Sequence, residues 1–466
     1  MSGPVIDGRF NIIEVNFISE YAMVSDSGDC RRVPGNEGLS RMDTNRLARK
    51  TLGLRGCVRR RRRSKGVIMK IIADRIRKLL IFHCVREYFR MLKCCLTTFG
   101  FGMWFFYFLV KIPAQQLYIC TTMFLDNIFF PGYRRVKIEK PLFIIGHPRS
   151  ATTFLHEVLT STAEFMVFKH WETYHPALVT RKLFQRHRKI RLFFSLISNI
   201  RFTPNRIKKE IREHKGGTKG KFEEHKERSE VIAQEEEELF FNVLDTQFIA
   251  LGTPIGFSDK KYPELVYHDD QPHQEKSVRF LKNCFKRQIY YTGNKQVFAK
   301  INFSLFRIKT IFKYFPDAKF IFVMRSPLDT MPSHLTTHYD VLDRHYGLDN
   351  IPKDKLELYL RTRYHYNLEF YKYFVELLNN GEIPKEQFLL ITYNEIKKDL
   401  GDVVERIKSF TDVKFSSELD ESLKKRHDAQ PSYRRPHRNL PLEAFNLTEE
   451  QVRSDFDFVF KQYELE

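Results

Sequence analysis

The stretch Pro141-Leu-Phe-Ile-Ile-Gly-His-Pro-Arg-Ser-Ala-Thr-Thr-Phe-Leu155 decides how the rest of the chain is read. Its opening is an apolar run, the pattern of a strand buried on both faces of a parallel sheet. Gly146 and Pro148 then open a turn, and Thr152-Thr153 begins a helix. Strand, tight turn and helix start together aim backbone N–H groups and a positive helix end at one spot, which suits a phosphate-like anion. The spacing from Gly146 matches the phosphate loop G-x-x-x-x-G-K-[ST] with two substitutions. Ala151 stands where that loop has its second Gly, and Thr152 where it has the Lys that reaches the β- and γ-phosphates. The basic charge inside the loop comes from Arg149. The stretch therefore reads as a cradle for a phosphate-like group other than a triphosphate tail. A nucleotide kinase is the reading it disfavours.

A second motif lies about 180 residues further on. Phe315-Pro-Asp-Ala-Lys-Phe-Ile-Phe-Val-Met-Arg325 reads as a helix end, a turn and an apolar strand closing on Arg325. Arg325-Ser-Pro-Leu-Asp-Thr-Met-Pro-Ser333 follows it directly. Taken with Pro-Arg-Ser-Ala-Thr-Thr, this R-x-P-x-x-x-x-x-S segment resembles the motif pair of sulfotransferases that use 3'-phosphoadenosine 5'-phosphosulfate (PAPS). The resemblance is to the branch whose loop reads Pro-Arg-Ser-Gly-Thr-Thr, which includes bacterial-type, carbohydrate and tyrosylprotein enzymes, and it runs from about Phe129 to the C-terminus. It implies a P-loop-like three-layer α/β/α fold with a central parallel sheet, and PAPS as co-substrate without a metal. It also implies sulfuryl transfer to a hydroxyl of a carbohydrate, a lipid-like alcohol or a tyrosine. By the same resemblance Arg149, Ser150, Ala151, Thr152 and Thr153 clamp the 5'-phosphosulfate, with Arg149 neutralising the leaving phosphate oxygen. Arg325 and Ser333 hold the 3'-phosphate.

Sulfuryl transfer makes demands like those of phosphoryl transfer: an in-line donor, neutralised oxygens and a deprotonated acceptor. Arg149 stays charged at any working pH and can serve as a clamp rather than an acid. For the base, Glu172 in His170-Trp-Glu-Thr173 is the first expectation, because tyrosylprotein sulfotransferases carry their catalytic Glu in a similar Glu-Thr step. His170, titrating nearer neutrality, is the alternative base. Glu235-Glu-Glu-Glu238 resembles an acidic run of the bacterial branch, and Glu235 or Glu236 is a further candidate to face the acceptor. Such a run is ordinarily a solvated helix N-terminus. Lys300 closes an apolar strand and resembles the branch's Lys-x-Pro step, with Asn302 in place of Pro. Arg434-Arg435-Pro-His-Arg438 reads as a basic surface turn. Ala151 departs from the family's Gly; a positive φ there would cost about 1 kcal/mol. That departure keeps open a catalytically silent, membrane-associated protein of the same fold.

Composition sets outer bounds. With 466 residues the chain allows one large α/β domain with additions, and 43 Phe supply ample core. The net charge of +21 is uneven: residues 1–93 hold 21 basic and 9 acidic residues, or +12. The remaining +9 suits an anionic donor. Arg59–Arg63 has no aromatic interleaving or finger spacing, so no nucleic acid partner is expected. Five of seven Cys precede residue 100. Without C-x-x-C or ligand spacing, Cys120 and Cys284 are expected as two buried free thiols, a single bridge between them being the alternative. Residues 1–68 read as a disordered basic extension, with Met69 an alternative start. Residues 69–130 read as helical and residues 131–466 as the catalytic domain.

Within the second segment, Cys94 to Val110 is a run of 17 uncharged residues. A spanning helix needs roughly 17 as its lower limit. Its basic N-terminal flank predicts a type II membrane anchor with a lumenal, Golgi-like enzyme; a helix packed on the domain and a cytoplasmic location are the alternatives. Sequons occur at Asn302 and Asn446. Strands are expected at 142–145, 165–168, 296–300, 319–324 and 388–392, helices at 351–379 and 448–463, and a surface loop or exposed helix over 205–228.

Overall fold

A computed structural model describes residues 82–161, 165–187, 235–258, 272–293, 296–411 and 439–463, with isolated positions between 413 and 424 and residue 465. The expectations for residues 1–68, 205–228 and 434–438 lie outside the described residues. Among those described, a sheet runs in the spatial order β2-β3-β1-β4-β5. Its strands are β1 (Leu142–Gly146), β2 (Phe165–Met166), β3 (Gln296–Lys300), β4 (Lys319–Met324) and β5 (Phe388–Thr392), and every pairing is parallel. The apolar runs bounded by turns thus fall where the sequence put them, except that β2 is two residues long.

Period two along the central strands feeds two separate cores. Phe143 and Ile145 of β1 and Phe320, Phe322 and Met324 of β4 point into the larger one. Leu142 and Ile144, with Ile321 and Val323, point into the other. Helices α1 (Phe82–Phe99) and α2 (Met103–Phe129) contribute Met91, Cys95, Phe108 and Ile119 to the larger core. The other face is covered by α3 (Thr152–Leu159), through Leu155, Val158 and Leu159, and by the helix Leu400–Thr411, through Leu400, Val403, Val404 and Ile407. This is the α/β fold with a helix-flanked parallel sheet that the two motifs implied.

The N-terminal expectation changes. No helix among the described residues is long and apolar enough to cross a membrane. The uncharged run 94–110 is broken between α1 and α2, where Gly100 takes a φ of 69°. Its Cys94, Cys95, Trp104 and Phe108 are buried within the protein. What read as an anchor is therefore two helices, each of which buries one side in the domain. Among the described cysteines Cys94, Cys95, Cys120 and Cys284 are free, so the expected Cys thiols stand without a bridge. The C-terminal helix is two, Glu449–Asp455 and Asp457–Tyr463; Phe456 between them is fully buried.

Candidate functional site

The loop between β1 and α3 lies at the C-terminal edge of the sheet, beside the ends of β3 and β4, where open α/β sheets bind ligands. Gly146 is required by close approach: a methyl there would meet the Val323 carbonyl oxygen at 2.6 Å and Thr152 Cγ2 at 2.8 Å. Beyond it, Arg149 has φ 79° and Ala151 φ 67°, both left-handed. That conformation costs an L-residue roughly 1–2 kcal/mol. It also suits a concave row of backbone N–H groups for an anion. The loop is held in this shape by neighbours on both sides.

On one side the two sequence motifs meet. Arg149 Nε donates to Ser333 Oγ at 2.9 Å. Arg325 donates through NH1 to the Arg149 carbonyl oxygen at 2.9 Å. Its guanidinium also pairs with Asp329 at 3.0 Å and stacks 3.9 Å above the Tyr393 ring. Ser333 lies on α4 (Pro327–Tyr346), whose Pro327 opens the helix directly after the β4 strand. Ser150 is buried at the base of the loop.

On the other side Lys300 Nζ donates to Thr153 Oγ1 at 2.5 Å and pairs with Glu235 at 3.2 Å. Asn302 completes this corner. Its Oδ1 accepts from the Gly146 amide at 3.2 Å, and its Nδ2 donates to Thr152 Oγ1 at 3.2 Å and Glu235 Oε1 at 2.6 Å. A residue so engaged and only 2 % exposed is no glycan acceptor, so the sequon at Asn302 carries no meaning. Asn446 is exposed.

The acidic run is also unlike its sequence reading. It is a buried short helix (Glu236–Val243) rather than a solvated terminus. Glu236 accepts from the Lys300 amide at 2.8 Å and lies 3.4 Å from His156. Glu237 accepts from Ser304 at 2.6 Å, and burial pushes its carboxyl up to about 7 against the pull of Arg307. Glu238 lies 3.2 Å from His170 Nδ1 and accepts from Thr173. Of the four side chains Glu235 keeps the most exposure, 13 %.

Glu172, the expected base, is 3 % exposed. Its Oε2 accepts from the Lys169 amide at 2.8 Å and from Gln288 at 2.9 Å. The first of these bonds belongs to a capping box on its own short helix, His170–Tyr174, and the second ties that helix to Gln288. His170, at the start of that helix, remains about a third exposed, with Glu238 behind its ring.

A sequence model of the sulfotransferase family matches residues 141–417 of this chain, more than half its length. The chain belongs to the sulfotransferase family. The solved structures it is similar to include two sulfotransferases. One, from Mycobacterium avium, is 17 % identical, with a TM-score of 0.54 over 76 % of this chain and 84 % of that one. The other, from Mycobacterium tuberculosis H37Rv, is 13 % identical, with a TM-score of 0.53 over 80 % and 91 %. At such identities the likeness is one of fold. No curated protein matches the chain by sequence.

Two supports of this sulfotransferase's loop were not visible in its sequence. Asn302 could have been suspected, because it replaces the Pro of the Lys-x-Pro step and Pro has no side-chain donor. His147 gave no signal. Its Nε2 lies 2.6 Å from Asn367 Oδ1, and its ring stacks 5.0 Å from Tyr371. Burial lowers it to about 4 and holds His334 and His338 well below the usual histidine value, so the loop rests on neutral imidazoles. Among the described residues, no group of His, Cys, Asp or Glu is placed to hold a metal.

Proposed function

We propose that the chain transfers a sulfuryl group from PAPS to a hydroxyl acceptor, and that Glu235 rather than Glu172 is the carboxylate facing the reaction. The observation that carries this reading is the placement of cations on both sides of one strained loop. Arg149 meets Ser333 and Arg325 meets the Arg149 carbonyl oxygen on one side, and Lys300 meets Thr153 on the other. Guanidinium, ammonium, hydroxyl and amide donors form a set whose chemistry fits a phosphosulfate and a second phosphate. Thr152 in the lysine position argues against a nucleoside triphosphate.

In the transfer, the acceptor oxygen forms a bond to sulfur as the bond from sulfur to the bridging phosphate oxygen breaks. The leaving electron pair stays on that oxygen, where Arg149 and the loop amides neutralise it. Lys300 spans Thr153 and Glu235, so it couples the donor-binding loop to the acceptor side. Glu235 takes the acceptor proton. Glu172 is tied to the Lys169 amide and Gln288 and serves to hold its helix, while His170 backed by Glu238 borders the same acidic segment.

Calorimetric titration with the desulfated donor product tests the site. Turnover of radiolabelled PAPS against glycans, sterols and tyrosine peptides tests the reaction. Donor binding with turnover on one acceptor class is expected, and Arg149→Ala should lower kcat by about 10²–10³. Absence of millimolar binding overturns the donor assignment, and unchanged turnover in Arg149→Ala overturns the mechanism.

A further inference from the structure

Helix α2 is 27 residues long, or about 40 Å at 1.5 Å per residue. One side of it is built into the larger core by Phe108, Ile112, Ile119 and Met123. The opposite side is apolar as well. Phe106, Val110, Leu117, Phe124 and Ile128 recur along it at helical spacing and are 59, 67, 70, 41 and 57 % exposed. No charged residue occupies an exposed position of this helix. A helix apolar on all sides is normally buried on all sides, and a strip of this length is more than the scattered apolar residues of an ordinary surface.

Charge around the strip is one-sided. Between residues 82 and 138 the chain has seven Lys and Arg and two acidic residues. Both acids, Glu87 and Asp126, are buried. Arg134, Arg135 and Lys137 are exposed just past the C-terminal end of α2, and Arg86 and Lys93 are exposed on α1. Glu139, next to this cluster, is the one exposed carboxylate between residues 82 and 140, so the face is an apolar strip with predominantly cationic surroundings.

We propose that this face of α2 lies flat on an anionic lipid bilayer, with its apolar side chains in the interface and the Arg and Lys groups against the headgroups. Helices of this kind sink roughly 5–10 Å into the headgroup boundary. Spanning is ruled out for α2 by its inner side, which the core holds. A second copy of the chain is the poorer occupant, because a two-fold pairing through this face brings cationic surroundings against cationic surroundings. The proposal stands apart from the sulfuryl-transfer reading, and neither depends on the other.

The test is flotation of the full-length chain with phosphatidylcholine vesicles, with and without phosphatidylserine. Binding is expected with phosphatidylserine, weaker without it and weaker in high salt. Leu117→Glu with Ile128→Glu should cut partitioning by about tenfold or more, with unchanged melting because both sites are exposed. Arg134→Gln with Arg135→Gln should reduce only the preference for the anionic vesicles. Binding that persists in the double Glu variant overturns the proposal and moves the contact to another part of the chain. No vesicle binding, or dimerisation by light scattering that the double Glu variant abolishes, overturns it in favour of a protein partner.

Discussion

Arg149, Arg325 and Ser333 on one side of the loop come from two short motifs. Lys300, Asn302 and Glu235 on the other come from a strand end, the turn after it and a buried acidic segment. The first set is specified locally, since each motif fixes the strand, turn and helix that carry its residues. The second exists only because β3 lies beside β1 and the segment at Glu235 folds over its end. The contrast teaches that the two sides of the loop are specified separately, one by local motifs and one by tertiary packing, with Lys300 joining Thr153 to Glu235.

The sharpest way to break the comparison is Glu235→Gln. If the second side does the proton transfer, kcat falls by about 10²–10⁴, while donor affinity measured by calorimetry changes little. Equal losses in both would place Glu235 in the donor grip instead.

A pH series of urea melts comes next. His147, lowered to about 4, and His334 and His338, held well below the usual value, are neutral when folded. The unfolded chain takes up protons below about 6.5, so these groups make stability fall as pH drops from about 6.5 toward 4. Glu237 has the opposite sign. Its folded value near 7 exceeds the unfolded one of 4.5, so it weakens the fold as pH rises across that window. Burial lowers His175 to about 3 as well, and four histidines against one carboxylate predict a net acid loss. Glu237→Gln should steepen that loss and His334→Gln should flatten it; a flat profile in the wild type would refute the neutral cluster.

Glu172→Gln should be read by melting rather than by rate. Weakening the carboxylate's bonds to the Lys169 amide and Gln288 is expected to cost about 1–3 kcal/mol of stability. Turnover at a temperature where the variant is folded should hardly change. A kcat loss as large as that of Glu235→Gln would return the base to Glu172. The smallest effect belongs to Ala151→Gly, which relieves the left-handed alanine. Melting should shift upward by an amount equivalent to about 1 kcal/mol, and donor binding should hold or tighten. A destabilised variant would mean that the methyl packs better than its backbone suffers.

The sheet was legible because strands buried on both faces must be apolar runs, and turn residues bound each of them. The acidic run misled because four glutamates in sequence look solvated, and only the arrival of Lys300, Ser304, Arg307 and His170 from distant segments makes their burial tolerable. The run 94–110 misled for the converse reason. Its lack of charge reflects burial in the protein on one side as well as an uncovered strip on the other.

By itself the sequence determined the strand–turn–helix loop at Gly146–Thr153, its partner motif and the order of strands and helices, since these rest on contacts among near neighbours in the chain. The tertiary structure alone decided that Glu172 caps a helix, that Glu235 reaches Lys300, and that neutral histidines underlie the loop. Burial and pairing depend on what packs from elsewhere, and no local pattern encodes that.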